Sequence, residues 1–577
     1  MKKIILFCLI GLLSLPLFAQ KEANLYKEFC KQPNTSKLQD FSYAGYRYGT
    51  AQIPALPIKI NVSKCGVQPN TGKDLTVAIQ HLIDSIGKTG GGVLYFPKGR
   101  YNVNMDTTRV QFLTIDYNNI VIRGEGSDKD GTIIFSGSNT LQELENPWIS
   151  PAVIRTGYKI QPSIKFWSAK MKKTTQIYQK SNSGIDTGSD GSVIEAPILT
   201  EITKSALRGS KVLKVKNSTK IKSDDCILVV MYNTADDSNL LKYILNYDSF
   251  TPDLETAINA GKSRAPSFQW LVEVDKVIDK NTIQLKQPFR IDILEKFEPA
   301  IAAAPMLKGI GVENIRFESA WDGYYLHHGG GVNTPRMSKL MDYGWNAINF
   351  CRVKNGWIQH VSVDNYTNPI YLQDSRNVTV QNILLEGNVG HAGLKLYAHS
   401  ADNLIQNIKC NMYFTHVLSS EGNVYGNVFR NIDYTAINKL ETNFDFHGFS
   451  GASYAPPAWN LFENITGLIR INGGGAGFNF PHTAHGNVWW NIYPPKNTEA
   501  MDVFRHWIFG DKPNMPPHYY SYPGSIIVGF GTADSKYFVD KSAADREETM
   551  ITVEKLNQAP VYPLSLYEAQ LNKRLKK

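Results

Sequence analysis

The second half of the chain repeats one short pattern of apolar and polar residues. In each copy an asparagine opens the segment, apolar residues follow it, and a second asparagine precedes an isoleucine. The copies are NVTVQNI from Asn377, NLIQNI from Asn403, NVFRNI from Asn427, NLFENI from Asn460 and NVWWNI from Asn487. Their starts are 26, 24, 33 and 27 residues apart, and a weaker copy, VENIRF, begins at Val312. Short strands at this spacing are typical of a solenoid, in which each coil buries its apolar face against the next.

Other patterns come before the repeat. Residues 75–86, LTVAIQHLIDSI, carry apolar side chains on one side of a helix, and GKTGGG at 87–92 ends that helix. Residues 93–97, VLYFP, predict a strand. Residues 196–295 alternate like the strands of a small antiparallel domain inserted between coils. The repeated asparagine predicts a tight bend in each coil, because Asn tolerates left-handed backbone angles.

The N-terminal residues predict an exported protein. Residues 1–19 join a basic start, an apolar run from Ile4 to Leu15 and a small residue at Ala19, which are the parts of a signal peptide. No later stretch approaches 18 consecutive apolar residues, so we expect no membrane insertion. The mature protein is expected to be periplasmic or extracellular.

Composition restricts the partner and the redox chemistry. Of the 577 residues, 42% are hydrophobic and 20% are charged, which excludes a disordered chain. Loss of Lys2 and Lys3 with the signal peptide lowers the net charge from +9 to +7, which fits an acidic partner but is too small to indicate nucleic acid. The six cysteines show no CxxC and no framework spacing, so disulfides are not expected to organise the fold.

A family resemblance begins at residues 60–103, INVSKCGVQPNTGKDLTVAIQHLIDSIGKTGGGVLYFPKGRYNV. This segment resembles the N-terminal cap of the pectate-lyase-like right-handed parallel β-helix superfamily, and the coil period extends the resemblance over most of residues 60–495. It implies an all-β protein, a right-handed parallel β-helix (solenoid) with an N-terminal capping helix and an inserted small β-domain. It also implies an enzyme that acts on polysaccharides or their fragments. The scaffold alone does not fix the reaction.

The sequence therefore predicts six regions. They are the signal peptide (1–19), an N-terminal extension (20–59), the cap and first coils (60–195), the inserted β-domain (196–295), central coils that carry the active-site face (296–495) and a C-terminal tail (496–577).

Histidines mark the face where chemistry is expected. Six of the 12 histidines lie between residues 391 and 485, namely His391, His399, His416, His447, His482 and His485. Alternate residues of a strand face opposite sides, so if Leu394, Leu396 and Ala398 point inward then Lys395, Tyr397 and His399 point outward. The same reasoning, with Phe444, Phe446, Phe478 and Phe480 inward, places Asp445, His447 and Asn479 outward. His416 would also face outward if Val417 is buried.

These residue types favour elimination beside a carboxylate. Such a reaction needs a cation to neutralise the carboxylate, a base for the α-proton and an acid for the leaving oxygen. We assign Lys395 as the cation, His416 and His447 as base and acid, and Tyr397 as the other proton donor. Asp445 would orient an imidazole or contact sugar hydroxyls, and His399, Asn479 and His482 would bind the sugar.

The predicted function is a secreted eliminase, a polysaccharide lyase or an oligosaccharide dehydratase, that acts on an anionic, uronate-containing glycan. No metal site and no cofactor are predicted; calcium is an alternative without a clear carboxylate cluster to support it. One rival is a glycoside hydrolase using Asp445 and a second carboxylate, since hydrolysis needs two carboxyl groups. The other rival is a noncatalytic glycan-binding protein using the basic, aromatic-rich segment 146–185, which includes Arg155 and Lys165. The sequence gives no prediction of oligomeric state.

Overall fold

We describe the fold from a computed structural model. The residues it describes are 22–107, 109–140, 152–157, 198–231, 239–245, 268–323, 344–437, 444–447, 456–473, 483–504, 522–540 and 551–576. These ranges contain four α-helices: α1 (Asn24–Lys31), α2 (Thr76–Lys88), α3 (Asn239–Leu245) and α4 (Leu566–Leu575). None of these helices is long and apolar enough to cross a membrane. The predicted capping helix is confirmed as α2, which buries Ile79, Ile83 and Ile86.

The strands before and within the inserted domain are short except for β11, which has 12 residues. They are β1 (Ile58–Asn61), β2 (Gly92–Phe96), β3 (Gly99–Val103), β4 (Leu113–Ile115), β5 (Ile120–Gly124), β6 (Thr132–Ser136), β7 (Ile154–Thr156), β8 (Ile198–Glu201), β9 (Val212–Lys214), β10 (Cys226–Met231), β11 (Phe268–Asp279), β12 (Thr282–Leu285) and β13 (Ala300–Ala303).

The strands that follow build the central and C-terminal coils. They are β14 (Leu307–Lys308), β15 (Gly311–Ser319), β16 (Asn346–Cys351), β17 (Val353–Lys354), β18 (Trp357–Asp364), β19 (Asn368–Gln373), β20 (Thr379–Glu386), β21 (Gly390–Tyr397), β22 (Leu404–Cys410), β23 (Phe414–Glu421), β24 (Val428–Asp433), β25 (Phe444–His447), β26 (Leu461–Thr466), β27 (Ile471–Gly473), β28 (Val488–Tyr493), β29 (Met501–Asp502), β30 (Ile526–Phe530), β31 (Tyr537–Phe538) and β32 (Thr552–Glu554).

Two long parallel sheets form the solenoid. Sheet 1 runs β1-β2-β5-β15-β18-β20-β22-β24-β26-β28-β30-β32, with β3 and β6 beside this path. Sheet 2 runs β4-β7-β16-β19-β21-β23-β25-β27. From β18 to β28 the chain visits the two sheets in turn, and each strand pairs in parallel with its equivalent one coil later. The predicted fold class is confirmed: the protein is a right-handed parallel β-helix.

The two asparagines of each repeat have different roles. The first ones form a buried ladder in which each amide donates to the next, Asn403 to Asn427 (2.9 Å), Asn427 to Asn460 (3.0 Å) and Asn460 to Asn487 (3.1 Å). The second ones carry the left-handed backbone, with φ of 51–56° at Asn382, Asn407, Asn431, Asn464 and Asn491. The predicted bend therefore lies at the second asparagine of every copy, and in the first copy Asn377 is left-handed as well, with φ of 51°. The first asparagines of the later copies are held in place by side-chain hydrogen bonds.

Aromatic rings fill the centre of the C-terminal coils. Phe429 stacks on Phe462 with ring centroids 4.9 Å apart, and Phe462 stacks on Trp489 at 5.7 Å. Phe444 and Phe446 meet the Phe462 ring edge-on from the opposite sheet. Both residues point inward, as the strand alternation predicts.

The inserted domain is an antiparallel sheet of six strands in the order β8-β13-β10-β11-β12-β9. It packs on the side of the solenoid where single parallel bridges join consecutive coils, including Ala401 with Tyr425. Phe268 stacks on Tyr425 with ring centroids 5.3 Å apart. Arg290 donates to the buried Asp402 carboxylate at 2.6 Å. These contacts fix the insertion against the coils that carry sheet 2.

Both ends of the described chain pack on the outer surface of sheet 1. Leu404, Val428, Leu461, Val488 and Ile526 face outward there and form one buried cluster with residues of 23–44 and of α4. Glu463 on β26 accepts from the backbone of Leu566 (2.7 Å) and Tyr567 (3.2 Å) at the start of α4. A carboxylate at a helix N-terminus is favourable because the first amide groups lack partners inside the helix.

Candidate active site on the second sheet

Polar side chains alternate with core residues along sheet 2. The core positions include Ile348, Ile370, Leu394 and Leu418. The parallel register stacks the intervening positions in a first row: Arg155, Asn349, Tyr371, Lys395, Ser419, Asp445 and Asn472. Two residues further along each strand lies a second row: Cys351, Gln373, Tyr397, Glu421 and His447. Neighbouring strands are about 4.8 Å apart, so the rows form an extended track across several coils.

Charged groups on this track are buried. Lys395 is 7% exposed, Glu421 is 3% exposed and Arg155 is 3% exposed. Removing a charge from water is costly unless another group compensates it. Lys395 Nζ lies 2.7 Å from Glu421 Oε2 and 5.0 Å from the centroid of the Tyr397 ring. Lys395, Tyr397 and Glu421 therefore form one compact group, which we call the lysine cluster.

A pair of histidines lies at the other end of the same strands. The His391 and His416 rings meet edge to face with centroids 4.8 Å apart, and both residues are buried. Val417 is in the core, which is the condition under which the sequence predicts an outward His416. Leu418 is in the core as well, so strict alternation breaks between these two residues. His416 pairs in register with Ala392, three residues before Lys395. At about 3.3 Å per residue, the histidine pair lies roughly 10 Å along the strand from the lysine cluster.

His399 lies outside both rows. Strand β21 ends at Tyr397, and Ala398 has a left-handed backbone, with φ of 57°, that turns the chain away from the sheet. His399 is buried against the inserted domain, with Nδ1 2.6 Å from Asp374 Oδ1 and Nε2 2.6 Å from Gln269 Oε1. The predicted alternation therefore fails after Tyr397: Ala398 joins a small cluster with Tyr371 and Tyr397, separate from the main core.

Several predicted site residues lie partly or wholly outside the described residues. The backbone of Asp445 pairs with Ser419 and that of His447 with Glu421, which places both on the two rows, but their side chains are not described. Asn479 and His482 are outside the described ranges, as are the signal segment 1–19 and most of 146–185. Arg155 is the described basic residue of that segment, and it lies in the first row.

Glu421 is the functional candidate that the sequence reasoning missed. On this strand the sequence predicts an outward position for His416 alone, and the strand continues to Glu421. Extending the alternation from Ser419 by two residues reaches Glu421, in register with Tyr397. The structure thus adds a carboxylate to a face on which the sequence identified Asp445 alone. Among the described residues there is no group of three or more His, Cys, Asp or Glu side chains that could hold a metal ion.

One family model covers the C-terminal part of the chain. A family model described as a domain of unknown function (DUF4955) matches residues 421–577. None of the curated proteins matches the sequence.

Solved structures that resemble this chain do so at low identity. The tailspike protein gp49 from Pseudomonas phage LKA1 is 12% identical, with a TM-score of 0.45, over 82% of this chain and 63% of that chain. This chain thus spans less than two thirds of the tailspike's length. A hyperthermoactive exopolygalacturonase from Thermotoga maritima is 9% identical, with a TM-score of 0.36, over 88% and 82% of the two chains. The A-module of mannuronan C-5 epimerase AlgE4 from Azotobacter vinelandii is 11% identical, with a TM-score of 0.33, over 86% and 96%.

Proposed function

We propose that the outward face of sheet 2 is the active site of an enzyme that cleaves an anionic, uronate-containing polysaccharide or oligosaccharide by β-elimination. The lysine cluster is the observation that carries this proposal. It places a cation against a carboxylate and beside a phenol, on a track of polar side chains. Arg155 lies in the same row as Lys395, three strands away, and supplies a second cation for an anionic chain.

The reaction requires three events at one sugar. A base removes the proton from the carbon that bears the carboxylate, and that electron pair forms a carbon–carbon double bond. The bond from the next carbon to its oxygen breaks, and this oxygen leaves with a proton from an acid. If the oxygen belongs to a glycosidic link the enzyme is a lyase; if it belongs to a hydroxyl the enzyme is a dehydratase.

The lysine cluster offers a group for each event. Lys395 would pair with the substrate carboxylate, which makes the neighbouring proton more acidic by stabilising the charge that develops there. Tyr397 and His447 occupy the second row on either side of Glu421 and would transfer protons. Glu421 holds the ammonium of Lys395 in place at 2.7 Å. Asp445, in register two strands beyond Lys395, would contact sugar hydroxyls.

The histidine pair has a separate place in the proposal. His416 is about 10 Å along the strand from Lys395, so it would meet another part of the bound chain than the carboxylate held by Lys395. His416→Ala tests this directly. A loss confined to kcat assigns His416 to proton transfer, as the sequence suggests, whereas a rise confined to KM assigns it to substrate binding.

Glu421 also supports a second candidate, a glycoside hydrolase. Its Cα pairs with that of His447, so Glu421 and Asp445 lie on adjacent strands, two positions apart along the strand. With strands about 4.8 Å apart and about 3.3 Å per residue, Cα atoms placed in this way are roughly 8 Å apart. Paired carboxyl groups need a separation of roughly 5–9.5 Å for hydrolysis. The ion pair with Lys395 favours elimination, because it occupies Glu421 in holding a cation.

The product decides between the two reactions. We would incubate the protein with a panel of uronate-bearing polysaccharides and oligosaccharides and follow ultraviolet absorbance, reducing ends and product masses, with and without added calcium or a chelator. Elimination gives a conjugated double bond and rising absorbance, and loss of water identifies the dehydratase. New reducing ends without absorbance would establish the hydrolase instead. If the protein binds a glycan saturably but turns over none of the substrates, elimination and hydrolysis are both overturned, and the protein is a noncatalytic glycan-binding protein.

Export belongs to the same proposal. We propose that residues 1–19 are removed on secretion and that the enzyme meets its glycan in the periplasm or outside the cell. N-terminal sequencing of the protein from its native host should then begin at Gln20. Recovery of a chain that still begins at Met1 would contradict export.

A further inference from the structure

A second cavity lies away from sheet 2, where three separate parts of the chain meet. The N-terminal segment, the inserted domain and α4 enclose about 260 Å³. Its charged lining residues are Asp40, Arg208, Lys211, Arg290, Lys573 and Arg574. Five cationic side chains thus face one space that contains a single carboxylate.

Most of the positive charge in this cavity has no carboxylate bonded to it. Arg290 is paired, since it donates to Asp402 at 2.6 Å. Arg208 donates instead to the carbonyl oxygens of Ser36 (2.7 Å) and Leu38 (3.1 Å). Arg574 donates to the hydroxyl and carbonyl of Ser42, at 2.8 and 2.7 Å. Such hydrogen bonds fix the planes of the guanidinium groups without neutralising them.

Another cavity has more carboxylates in its lining. A space of about 940 Å³ between the inserted domain and the solenoid is lined by five cations and three carboxylates. There Lys286 lies 2.6 Å from Asp224 and 2.7 Å from Glu273. Lys354 also reaches Glu273, at 3.2 Å. In the larger cavity Lys286 and Lys354 are thus bonded to carboxylates, whereas in the smaller one Arg290 is.

The electrostatic surroundings of the smaller cavity point the same way. Burial lowers the pKa of the Lys211 ammonium from its ordinary value. Burial, and then the charge of Arg290, lowers the pKa of Arg208. Both groups are therefore held as cations in a place that disfavours cations, and a bound negative charge would relieve that cost.

We propose that this cavity is a binding site for a small oxyanion, a carboxylate, sulfate or phosphate group, on a molecule no larger than a monosaccharide. Arg208 and Arg574 add two guanidinium charges whose orientation is already fixed by the carbonyl oxygens of Ser36, Leu38 and Ser42, and oxyanions are common partners of this group. Lys211 and Lys573 add charge from the inserted domain and from α4. Because the three segments close the cavity together, the bound anion would also hold the N-terminal segment and α4 against the inserted domain.

The test uses the purified mature protein and three probes at constant ionic strength. They are inorganic phosphate, galacturonate and, as the neutral counterpart, galactose, each measured by calorimetry and by melting temperature. We expect saturable binding of at least one anion and a higher melting temperature, because a ligand that binds only the folded state stabilises it. Phosphate alone would identify a free anion, and galacturonate without galactose would identify a sugar acid.

Lys573→Glu reverses one charge of the cavity on the last turn of α4. We expect it to weaken anion binding about ten- to a hundredfold, the effect of losing a hydrogen bond to a charged group. The matched control is Lys576→Glu, an exposed position on the same helix end, which should bind the anion like the wild type. Arg208→Gln provides a second variant on a different segment.

Three results would overturn the proposal. They are no binding of either anion, galactose binding as tight as galacturonate binding, and equal weakening by Lys573→Glu and Lys576→Glu. The last would show a general charge effect rather than a site.

Discussion

The outer faces of sheet 1 and sheet 2 both stack equivalent residues of successive coils into rows, but one row of sheet 1 is apolar where the rows of sheet 2 are mostly polar. On sheet 1 the outward row contains Leu404, Val428, Leu461, Val488 and Ile526, and it is covered by residues of 23–44 and α4. On sheet 2 the corresponding rows contain Arg155, Asn349, Tyr371, Lys395 and Ser419 in one line, and Gln373, Tyr397 and Glu421 in the next. Both rows are buried. Sheet 1 has a polar outward row as well, Gln406, Arg430 and Glu463, two residues after the apolar one, but Arg430 and Glu463 are bonded to α4.

This difference shows how a solenoid separates stability from chemistry. The inward side chains of both sheets form one continuous core, so they must be apolar on every coil. The outward side chains are free of that requirement, and on sheet 1 they are used to attach the two chain ends. On sheet 2 the buried charges of Lys395 and Glu421 are bonded to each other rather than to a chain end, and buried charged groups are typical of functional sites.

The sharpest test removes one oxygen from the sheet 2 face. Tyr397→Phe keeps the buried ring and its contacts with Tyr371 and Ala398 but deletes the hydroxyl. If Tyr397 transfers a proton, kcat should fall ~10²–10⁴-fold, with little change in melting temperature. The matched control is Tyr425→Phe, which removes a buried hydroxyl that donates to Asn423 at 2.6 Å under the inserted domain. Equal activity of both variants would remove Tyr397 from the mechanism.

The second test breaks the sheet 1 face. Leu461→Ala empties a fully buried position beneath the chain ends and should lower the free energy of unfolding by about 2–5 kcal/mol. The remaining folded protein should have normal kcat, because this row faces away from the site. Denaturant unfolding measures the loss of stability, and turnover per folded molecule measures kcat. A lower kcat in the folded fraction would show that the two faces are coupled.

Strand alternation in the sequence was enough to predict the inner and outer faces within regular strands. Leu394, Leu396, Phe444 and Phe446 all point inward as expected, because their strands keep period two. The prediction failed at Ala398, where the backbone turns into the left-handed region. Gly or Asn at this position would have indicated such a bend, but alanine rarely adopts it.

Contacts between residues far apart in the sequence could not be predicted from local patterns. His399 is held by Gln269, 130 residues away, and no local pattern indicates that contact. Glu421, by contrast, lies two residues after Ser419 on the same strand, so local alternation indicates its outward position. The roles of Lys395, Tyr397, His416 and His447 stay predictions, as does the resemblance to the pectate-lyase-like superfamily.

A smaller effect is expected when a buried asparagine and an exposed asparagine of the same repeat are compared. Asn427→Gly removes a buried amide that bonds Asn460 and Ser400, each at 3.0 Å, and should cost about 1–3 kcal/mol by leaving buried groups unpaired. Asn431→Gly, four residues later, loses only an exposed 3.1 Å amide contact, and glycine accepts its φ of 51°. We expect Asn431→Gly to unfold like the wild type in denaturant. Similar losses for both variants would contradict a special role for the buried ladder.

The smallest expected effect concerns acid and the docking of the inserted domain. Glu273 on β11 is buried and accepts from Tyr48 (2.7 Å), Lys286 (2.7 Å) and Lys354 (3.2 Å). Burial alone would raise its pKa, but the charges of Arg376 and Lys354 and these hydrogen bonds lower the pKa from 4.5 to about 2. A carboxyl whose pKa is lower in the folded state contributes stability above its unfolded pKa. That contribution is lost as the pH falls from about 4.5 to about 2.

Glu273→Gln should therefore be less stable than the wild type at pH 7, and the difference should shrink below pH 4.5. Unfolding free energies at pH 7, 4 and 3 measure this change. Glu201→Gln is the control, since its carboxylate is 67% exposed and its contact with Lys216 is 3.4 Å long, so no pH-dependent difference is expected. A difference that stays constant from pH 7 to pH 3 would show that Glu273 stabilises the docked domain by packing. Ionisation of Glu273 in its contacts with Lys286 and Lys354 would then add no measurable stability. The inserted domain would be held by packing, as the chain ends are held on the apolar row of sheet 1.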